Sequence, residues 1–240
     1  MRLSVIIPAY NEENRLTQTL FDINNYLNKQ NYGYEIIVVS DGSKDRTVEK
    51  VKEIMPRIKN LRLFDFKENR GKGRVIREGM LKAQGDFRLF TDADNSTSIN
   101  QVEKMWPYLN SNYQVVIGSR DVKGAVLDPP QPWIRGVLFG KGFKLFRKIM
   151  VNLWEIKDTQ CGFKCFSQQA AENIFSRCKI DRFAFDAEVL LLAKKQGYKI
   201  KEVPVYWKNN LESKVKFKSI IKMALDLFEI RINLLKKVYD

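Results

Sequence analysis

The first half of this chain alternates between two hydrophobic periods, and that alternation restricts its architecture more than any other feature. Near-continuous apolar runs at residues 5–8, 34–39, 61–66, 87–91 and 113–118 have the length and composition of strands. Between them, residues 14–27 (through Leu16, Leu20, Ile23 and Leu27), 47–55 and 75–83 carry apolar side chains at helical spacing. Buried strands that alternate with helices of this length predict an α/β fold, a mostly parallel central sheet with helices on both faces. In such sheets ligands bind beyond the carboxyl ends of the strands. The polar or glycine-containing turns at residues 8–13, 41–43, 69–73 and 92–96 all fall on that edge. Four such turns on one edge predict a site.

Length and composition then exclude several classes. The chain has 240 residues, 44% hydrophobic and 29% charged, which suits one sizeable folded domain with or without an appendage. It contains no apolar run approaching the ~18 residues that suggest a transmembrane helix, and residues 3–8 are too short for a signal-peptide core. A chain without anchor or leader is expected in the cytoplasm. Three cysteines, Cys161, Cys165 and Cys178, and no histidine make a poor disulfide framework and a poor zinc site. The missing histidine also excludes Ser-His-Asp and Cys-His nucleophiles, so acid-base work would fall to carboxylates, tyrosines, lysines or the substrate.

Charge is unevenly placed. Residues 1–119 hold 18 basic and 15 acidic groups, net +3, whereas residues 120–240 hold 24 and 13, net +11. A polyanionic partner for the second half follows, nucleic acid or an anionic membrane surface, against the plainer reading of a solvated basic face. Two stretches there, residues 133–154 and 214–239, interleave aromatic and aliphatic residues with lysine and arginine. Basic amphipathic helices of this kind lie in membrane interfaces, though a helix packed on the sheet with snorkelling lysines has the same composition. In the first half, Asp92-Ala93-Asp94 follows the fourth apolar run. Two carboxylates so placed can converge on Mg²⁺ or Mn²⁺ together with substrate phosphates; the same residues also suit a polar turn.

The ordered motifs resemble a known family. Val5-Ile6-Ile7-Pro8-Ala9-Tyr10-Asn11-Glu12-Glu13, Val39-Ser40-Asp41-Gly42-Ser43, Asn69-Arg70-Gly71-Lys72-Gly73 and Asp92-Ala93-Asp94 look like the inverting nucleotide-sugar glycosyltransferases of the GT-A fold. Gly118-Ser119-Arg120, Asp158-Thr159-Gln160-Cys161-Gly162-Phe163-Lys164, Arg182-Phe183-Ala184-Phe185-Asp186 and Pro204-Val205-Tyr206-Trp207 are similar to the dolichyl-phosphate β-glucosyltransferase branch. The related dolichyl-phosphate mannose synthases share most of the N-terminal set.

The resemblance implies roles. Pro8, Ala9, Tyr10, Glu12 and Asp41 would line the nucleoside, with Asp41 reading the base. Lys72, Asp92 and Ala93 would complete the nucleotide-sugar site, and Asp92 and Asp94 would hold Mg²⁺ or Mn²⁺. Arg120 and Arg135 match the arginines that bind the acceptor phosphate, and Asp158 matches an aspartate near acceptor and donor sugar; capping the following turn is its alternative. Trp207, Ser213 and Lys214 match the glucosyl branch, and residues 160–166 would contact sugar or acceptor, with Cys161 in packing. Two departures stand out: Ser40 precedes Asp41 where relatives often carry a second aspartate, and Ser96 stands where a mannose synthase has a metal-binding glutamine.

The implied reaction is metal-dependent transfer of a hexose, glucose from UDP-glucose favoured, to a polyprenyl or dolichyl monophosphate with inversion. The implied domain plan is a GT-A unit over residues 1–210, with a nucleotide-sugar and metal half (1–119) and an acceptor half (120–210), followed by an amphipathic interface helix (211–240). The eukaryotic glucosyl enzymes carry an N-terminal membrane anchor, so here the amphipathic helices are expected to hold the chain peripherally on the cytosolic face. GDP-mannose as donor, or a soluble or polysaccharide acceptor, is the alternative within the class. A nucleic-acid-binding protein on a degenerate transferase fold is the alternative outside it, and the retained Asp92, Asp94, Arg120 and Arg135 argue against any nucleic-acid partner.

Overall fold

The computed structural model of the protein describes residues 1–129, 142–208 and 217–240. Its first half follows the alternation: β1 (Arg2–Ala9), α1 (Leu16–Leu27), β2 (Gly33–Asp41), α2 (Thr47–Ile54), β3 (Leu61–Phe66), α3 (Lys72–Lys82), β4 (Phe87–Thr91), the short α4 (Trp106–Leu109) and β5 (Val115–Ser119). The second half adds β6 (Val126–Asp128), α5 (Gly142–Val151), β7 (Phe163–Ser167), α6 (Gln168–Phe175), α7 (Phe185–Lys195), β8 (Ile200–Pro204), β9 (Tyr206–Lys208) and α8 (Phe217–Leu235).

Seven strands form one sheet in the order β3-β2-β1-β4-β7-β5-β8, and β6 and β9 form a small parallel pair beside it. All neighbours in the large sheet are parallel except β7, which runs against both β4 and β5. Alternate residues of β1 face opposite layers. Ile6 packs with Val75, Ile76 and Met80 of α3, whereas Val5 and Ile7 pack with Leu16, Leu20 and Ile23 of α1. Both faces are therefore dry, which is why these strands read as continuous apolar runs.

The C-terminal helix shows two stripes. Met223, Leu227 and Ile230 are buried, whereas Ile221, Leu225, Phe228, Ile232 and Leu235 are exposed, Leu225 to 62% and Leu235 to 71%. Each set recurs at three- and four-residue spacing, so α8 carries two helical apolar stripes, one buried and one exposed. Phe228 meets Phe146 of α5 edge-on at 5.3 Å between ring centres, and Leu145 and Ile149 of α5 are exposed as well. The chain end is tied down where the Tyr239 hydroxyl donates to Glu188 Oε1 at 2.6 Å. Among the described residues no helix is long and apolar enough to cross a membrane.

Candidate active site

Strand register gathers the motifs. Ala9 at the end of β1 lies beside Ser40 of β2, and Thr91 at the end of β4 lies beside Phe163 at the start of β7. Reversal of β7 thus delivers residues 158–162 to the edge where the parallel strands end. Cross-links hold the first two turns: Asn11 N–H donates to Ser43 Oγ at 3.2 Å, Lys44 N–H to Asn11 Oδ1 at 2.8 Å, and Glu12 N–H to Thr47 Oγ1 at 2.8 Å. The Glu12 carboxylate is held by Arg15, whose Nη2 donates at 3.0 Å. Hydrogen bonding to Glu12 holds the Arg15 guanidinium above its ordinary value, and Asp94 and Asp92 add to it.

Asp41 sits buried at the end of β2 and accepts from the backbone N–H of Arg70 at 2.8 Å and of Gly71 at 2.9 Å. Burial raises its carboxyl above the usual range against those two donors. The residue expected to read a base therefore also pins the glycine turn; each carboxylate oxygen keeps a second lone pair for a ligand. Gly71 has a φ of 116°, and a Cβ there would come within 2.4 Å of Asp181 O. Only glycine fits that turn at this distance.

Lys72 opens α3 and its ammonium meets Asp92 Oδ1 at 2.5 Å. Burial works against the charged amine, but Asp92, Asp186 and Asp94 outweigh it and hold Lys72 above its ordinary value. Beneath them Lys164 of β7 is fully buried, donates to Cys161 O at 2.6 Å, and pairs with Asp186 of α7. Burial pushes the Asp186 carboxyl up, opposed by Lys164 and Lys72. Gly162 lies against Asp92 so closely that a Cβ would fall 2.1 Å from Asp92 Oδ2.

The Asp-Ala-Asp turn is held from both sides. Thr19 of α1 donates to Ala93 O at 2.8 Å, Ser96 N–H donates to Asp94 Oδ1 at 3.0 Å, and Lys208 N–H donates to Ser96 O at 2.7 Å. Two residues beyond Asp94, the Ser96 hydroxyl is buried without a hydrogen-bond partner among the described residues. Two carboxylates and an unpartnered hydroxyl are oxygen donors of the kind a hard divalent cation takes, so the residues present fit Mg²⁺ or Mn²⁺. Among the described residues no three acidic, cysteine or histidine side chains converge. A cation here would complete its shell from a substrate's phosphates or water.

Arg120 follows β5 and is clamped by Asp158: Nε donates to Oδ2 at 2.7 Å and Nη2 to Oδ1 at 3.0 Å, while the Arg120 backbone N–H reaches Oδ2 at 3.1 Å. Burial opposes the Asp158 charge, yet Arg120 holds the carboxyl well below the usual range. Asp158 also caps its own turn through Gln160 N–H at 3.0 Å, the alternative role read for it in the sequence. Trp207 covers the clamp, with the guanidinium 5.2 Å from its ring centre. Cys161 is buried and its thiol is pushed up to about 12 by that burial, in keeping with packing. Arg135, Ser213 and Lys214 lie outside the described residues.

Three partners went unread in the sequence. Arg15 is separated from Glu12 by one helical turn, a spacing that signals an ion pair. Lys164 and Asp186 lie 22 residues apart, and a lysine inside an apolar run was the available sign of a buried pair.

The glycosyl transferase family 2 model matches residues 4–175. A dolichyl-phosphate β-glucosyltransferase of Dictyostelium discoideum is 38% identical over 99% of this chain and 76% of its own length. The Homo sapiens dolichyl-phosphate β-glucosyltransferase is 34% identical over 98% of this chain and 76% of its own. Among solved structures, Mycobacterium tuberculosis glucosyl-3-phosphoglycerate synthase in complex with Mn²⁺, UDP and glucosyl-3-phosphoglycerate aligns with a TM-score of 0.70 at 16% identity, over 97% of this chain and 79% of that one. The likeness identifies the sheet and its flanking helices as the expected GT-A fold.

Proposed function

The chain belongs to glycosyl transferase family 2, and from that premise we propose that it transfers glucose from UDP-glucose to a dolichyl or other polyprenyl monophosphate, with inversion, at a membrane surface. One observation carries the reading. The Lys72–Asp92 cluster and the Arg120–Asp158 clamp share one sheet edge, joined by residues 158–162, with Gly162 packed on Asp92. A cation site for a leaving diphosphate and a guanidinium site for an incoming phosphate then stand side by side. The names of the relatives support the donor sugar and the acceptor.

The chemistry suits the residues. A phosphate monoester has a second pKa of about 6 and is largely dianionic at neutral pH, so its oxygen attacks without a general base. That agrees with a chain lacking histidine and with Asp158 held ionised by Arg120. Asp158 acts by fixing the guanidinium, whose remaining N–H groups face the phosphate. As the new bond forms to the anomeric carbon, the bond from that carbon to the diphosphate oxygen breaks and its electron pair leaves with UDP. Attack opposite the leaving group inverts the centre and gives a β-linked lipid phosphosugar. Lys72 offsets charge on the departing diphosphate, and Arg135 is assigned the same phosphate-binding role as Arg120. Asp92 and Asp94, with Ser96 nearby, would hold Mg²⁺ or Mn²⁺, which supplies Lewis-acid stabilisation of the leaving group when bound. Pro8, Ala9, Tyr10, Glu12, Asp41 and Ala93 are assigned to the nucleotide sugar.

The exposed apolar stripe of α8, with Leu145 and Ile149 of α5 and the excess of lysine and arginine after residue 119, supports docking on an anionic bilayer. A thermal-shift panel of nucleotide sugars with Mn²⁺ tests the donor, because a ligand that binds the native state raises its melting temperature. UDP-glucose should raise it most; stabilisation by GDP-mannose alone would overturn the glucosyl assignment.

A further inference from the structure

Arg147 on α5 stands among the basic residues of an amphipathic stretch, yet it is only 1% exposed. Its Nη1 donates to Thr159 Oγ1 at 2.5 Å and its Nη2 reaches Lys157 O at 3.5 Å. Among the described residues its Nε has no hydrogen-bond partner, and no carboxylate comes within ion-pair distance. Four carboxylates act on it from neighbouring elements, Asp158, Asp121, Glu202 and Asp186. Each is engaged elsewhere: Asp158 by Arg120, Asp121 by Lys144, Asp186 by Lys164, and Glu202 by the backbone N–H groups of Lys157 and Asp158.

The contrast with Arg120 is one of sign. Burial opposes both guanidinium charges, but Asp158 lifts Arg120 above the ordinary arginine value, whereas Arg147 remains below it. A buried cation without a counterion is costly to the fold, and buried charges with perturbed titration cluster at functional sites. Arg147 lines a notch with Thr159, Gln160, Phe183, Asp186 and Met223 whose volume is about 10 Å³. That holds about one water-sized atom, an oxygen of a larger group seated at the rim. Phe183, 39% exposed, and the half-buried Gln160 form that rim. Thr159 adjoins Asp158, and Leu145 and Ile149 on α5 face outward.

We propose that Arg147 receives one non-bridging oxygen of a phosphate group, that of the polyprenyl monophosphate acceptor, making it an acceptor-binding residue additional to Arg120 and Arg135. This rests on the acceptor reading above. The lipid chain leaves along the apolar side of α5 while the phosphate oxygen enters the notch. The same chemistry could serve the diphosphate of the donor, and the test separates the two.

The chain and its Arg147→Met and Arg147→Lys variants are titrated with a short water-soluble prenyl monophosphate, with inorganic phosphate and with UDP-glucose plus Mn²⁺, and their melting temperatures are recorded. Loss of a charge-assisted bond should weaken prenyl phosphate binding roughly tenfold or more in Arg147→Met. Arg147→Lys should restore part of it, and UDP-glucose affinity should not change. Because methionine removes a buried charge with no carboxylate partner among the described residues, at similar volume, Arg147→Met should melt no lower than the parent. Unchanged prenyl phosphate binding in Arg147→Met overturns the proposal, as does a lower melting temperature with equal loss for all ligands, which marks a structural arginine. Selective loss of UDP-glucose assigns Arg147 to the donor and overturns it too. If the parent chain binds UDP-glucose but no prenyl phosphate, the acceptor reading itself fails and takes this proposal with it.

Discussion

The two ends of the candidate site differ in how they balance charge. On the proposed donor side Lys72 has Asp92 beside it and Arg15 has Glu12. On the proposed acceptor side Arg120 is clamped by Asp158, but Arg147 has no such carboxylate among the described residues, and residues 120–240 carry +11. The proposed ligands explain the difference. A diphosphate that arrives with its own divalent cation meets a nearly balanced site, whereas a lipid phosphate arrives as a bare anion and needs protein cations. The exposed apolar stripe beside the second site, on α5 and α8, fits an acceptor with a hydrocarbon tail.

The largest expected effect tests the donor side. Asp94→Asn removes a proposed cation ligand and should lower kcat/KM by on the order of 10²–10³, with Mn²⁺ no longer enhancing the UDP-induced thermal shift. An unchanged Mn²⁺ response would remove Asp94 from the metal site. Asp158→Ala breaks a buried ion pair and should cost about 3 kcal/mol of stability, the lower end for such pairs because the Arg120 side chain is partly exposed. Denaturant unfolding measures the loss, and prenyl phosphate affinity should fall with it. The pair also sets an acid limit. The folded Asp158 pKa lies below its unfolded value, so the stabilisation is whole above about pH 4 and fades as pH falls below it. The Asp158→Ala variant should lose that part of the acid dependence.

Gly162→Ala gives a smaller effect on the seam between the sides. Its Cβ would strike the Asp92 carboxylate, and shifting it should cost about 1–3 kcal/mol and weaken donor binding more than acceptor binding. Equal weakening would show that residues 158–162 move as a unit. Leu225→Ser with Leu235→Ser should change stability least, within about 0.5 kcal/mol for exposed positions. Vesicle binding should nevertheless drop, with turnover of a soluble prenyl phosphate preserved. Undiminished vesicle binding would place the membrane contact elsewhere.

The donor side was largely legible in the sequence because its logic is local. Each apolar run ends in the turn that carries its candidate residues, so the positions of Asp41 at the end of β2 and Asp92 after β4 could be read from order alone. The acceptor side depends on contacts far apart in the chain. Phe163–Ser167 is an ordinary apolar run whose antiparallel placement between β4 and β5 no local pattern encodes. Arg147 reads in the sequence as one more cation of a basic amphipathic stretch, and it is buried by elements distant in the chain, residues 157–159 together with Phe183, Asp186 and Met223. The unpartnered Ser96 hydroxyl gives a physical counterpart to the departure read at that position.

The central claim is that this edge joins glucose to a lipid phosphate. Incubating the protein with UDP-glucose labelled in its sugar, polyprenyl phosphate vesicles and Mn²⁺, then partitioning the mixture between water and organic solvent, tests it most directly. Label should enter the organic phase as a β-linked phosphosugar, and only with both lipid phosphate and enzyme present. Label that stays in the aqueous phase, while UDP-glucose still binds, would contradict the claim.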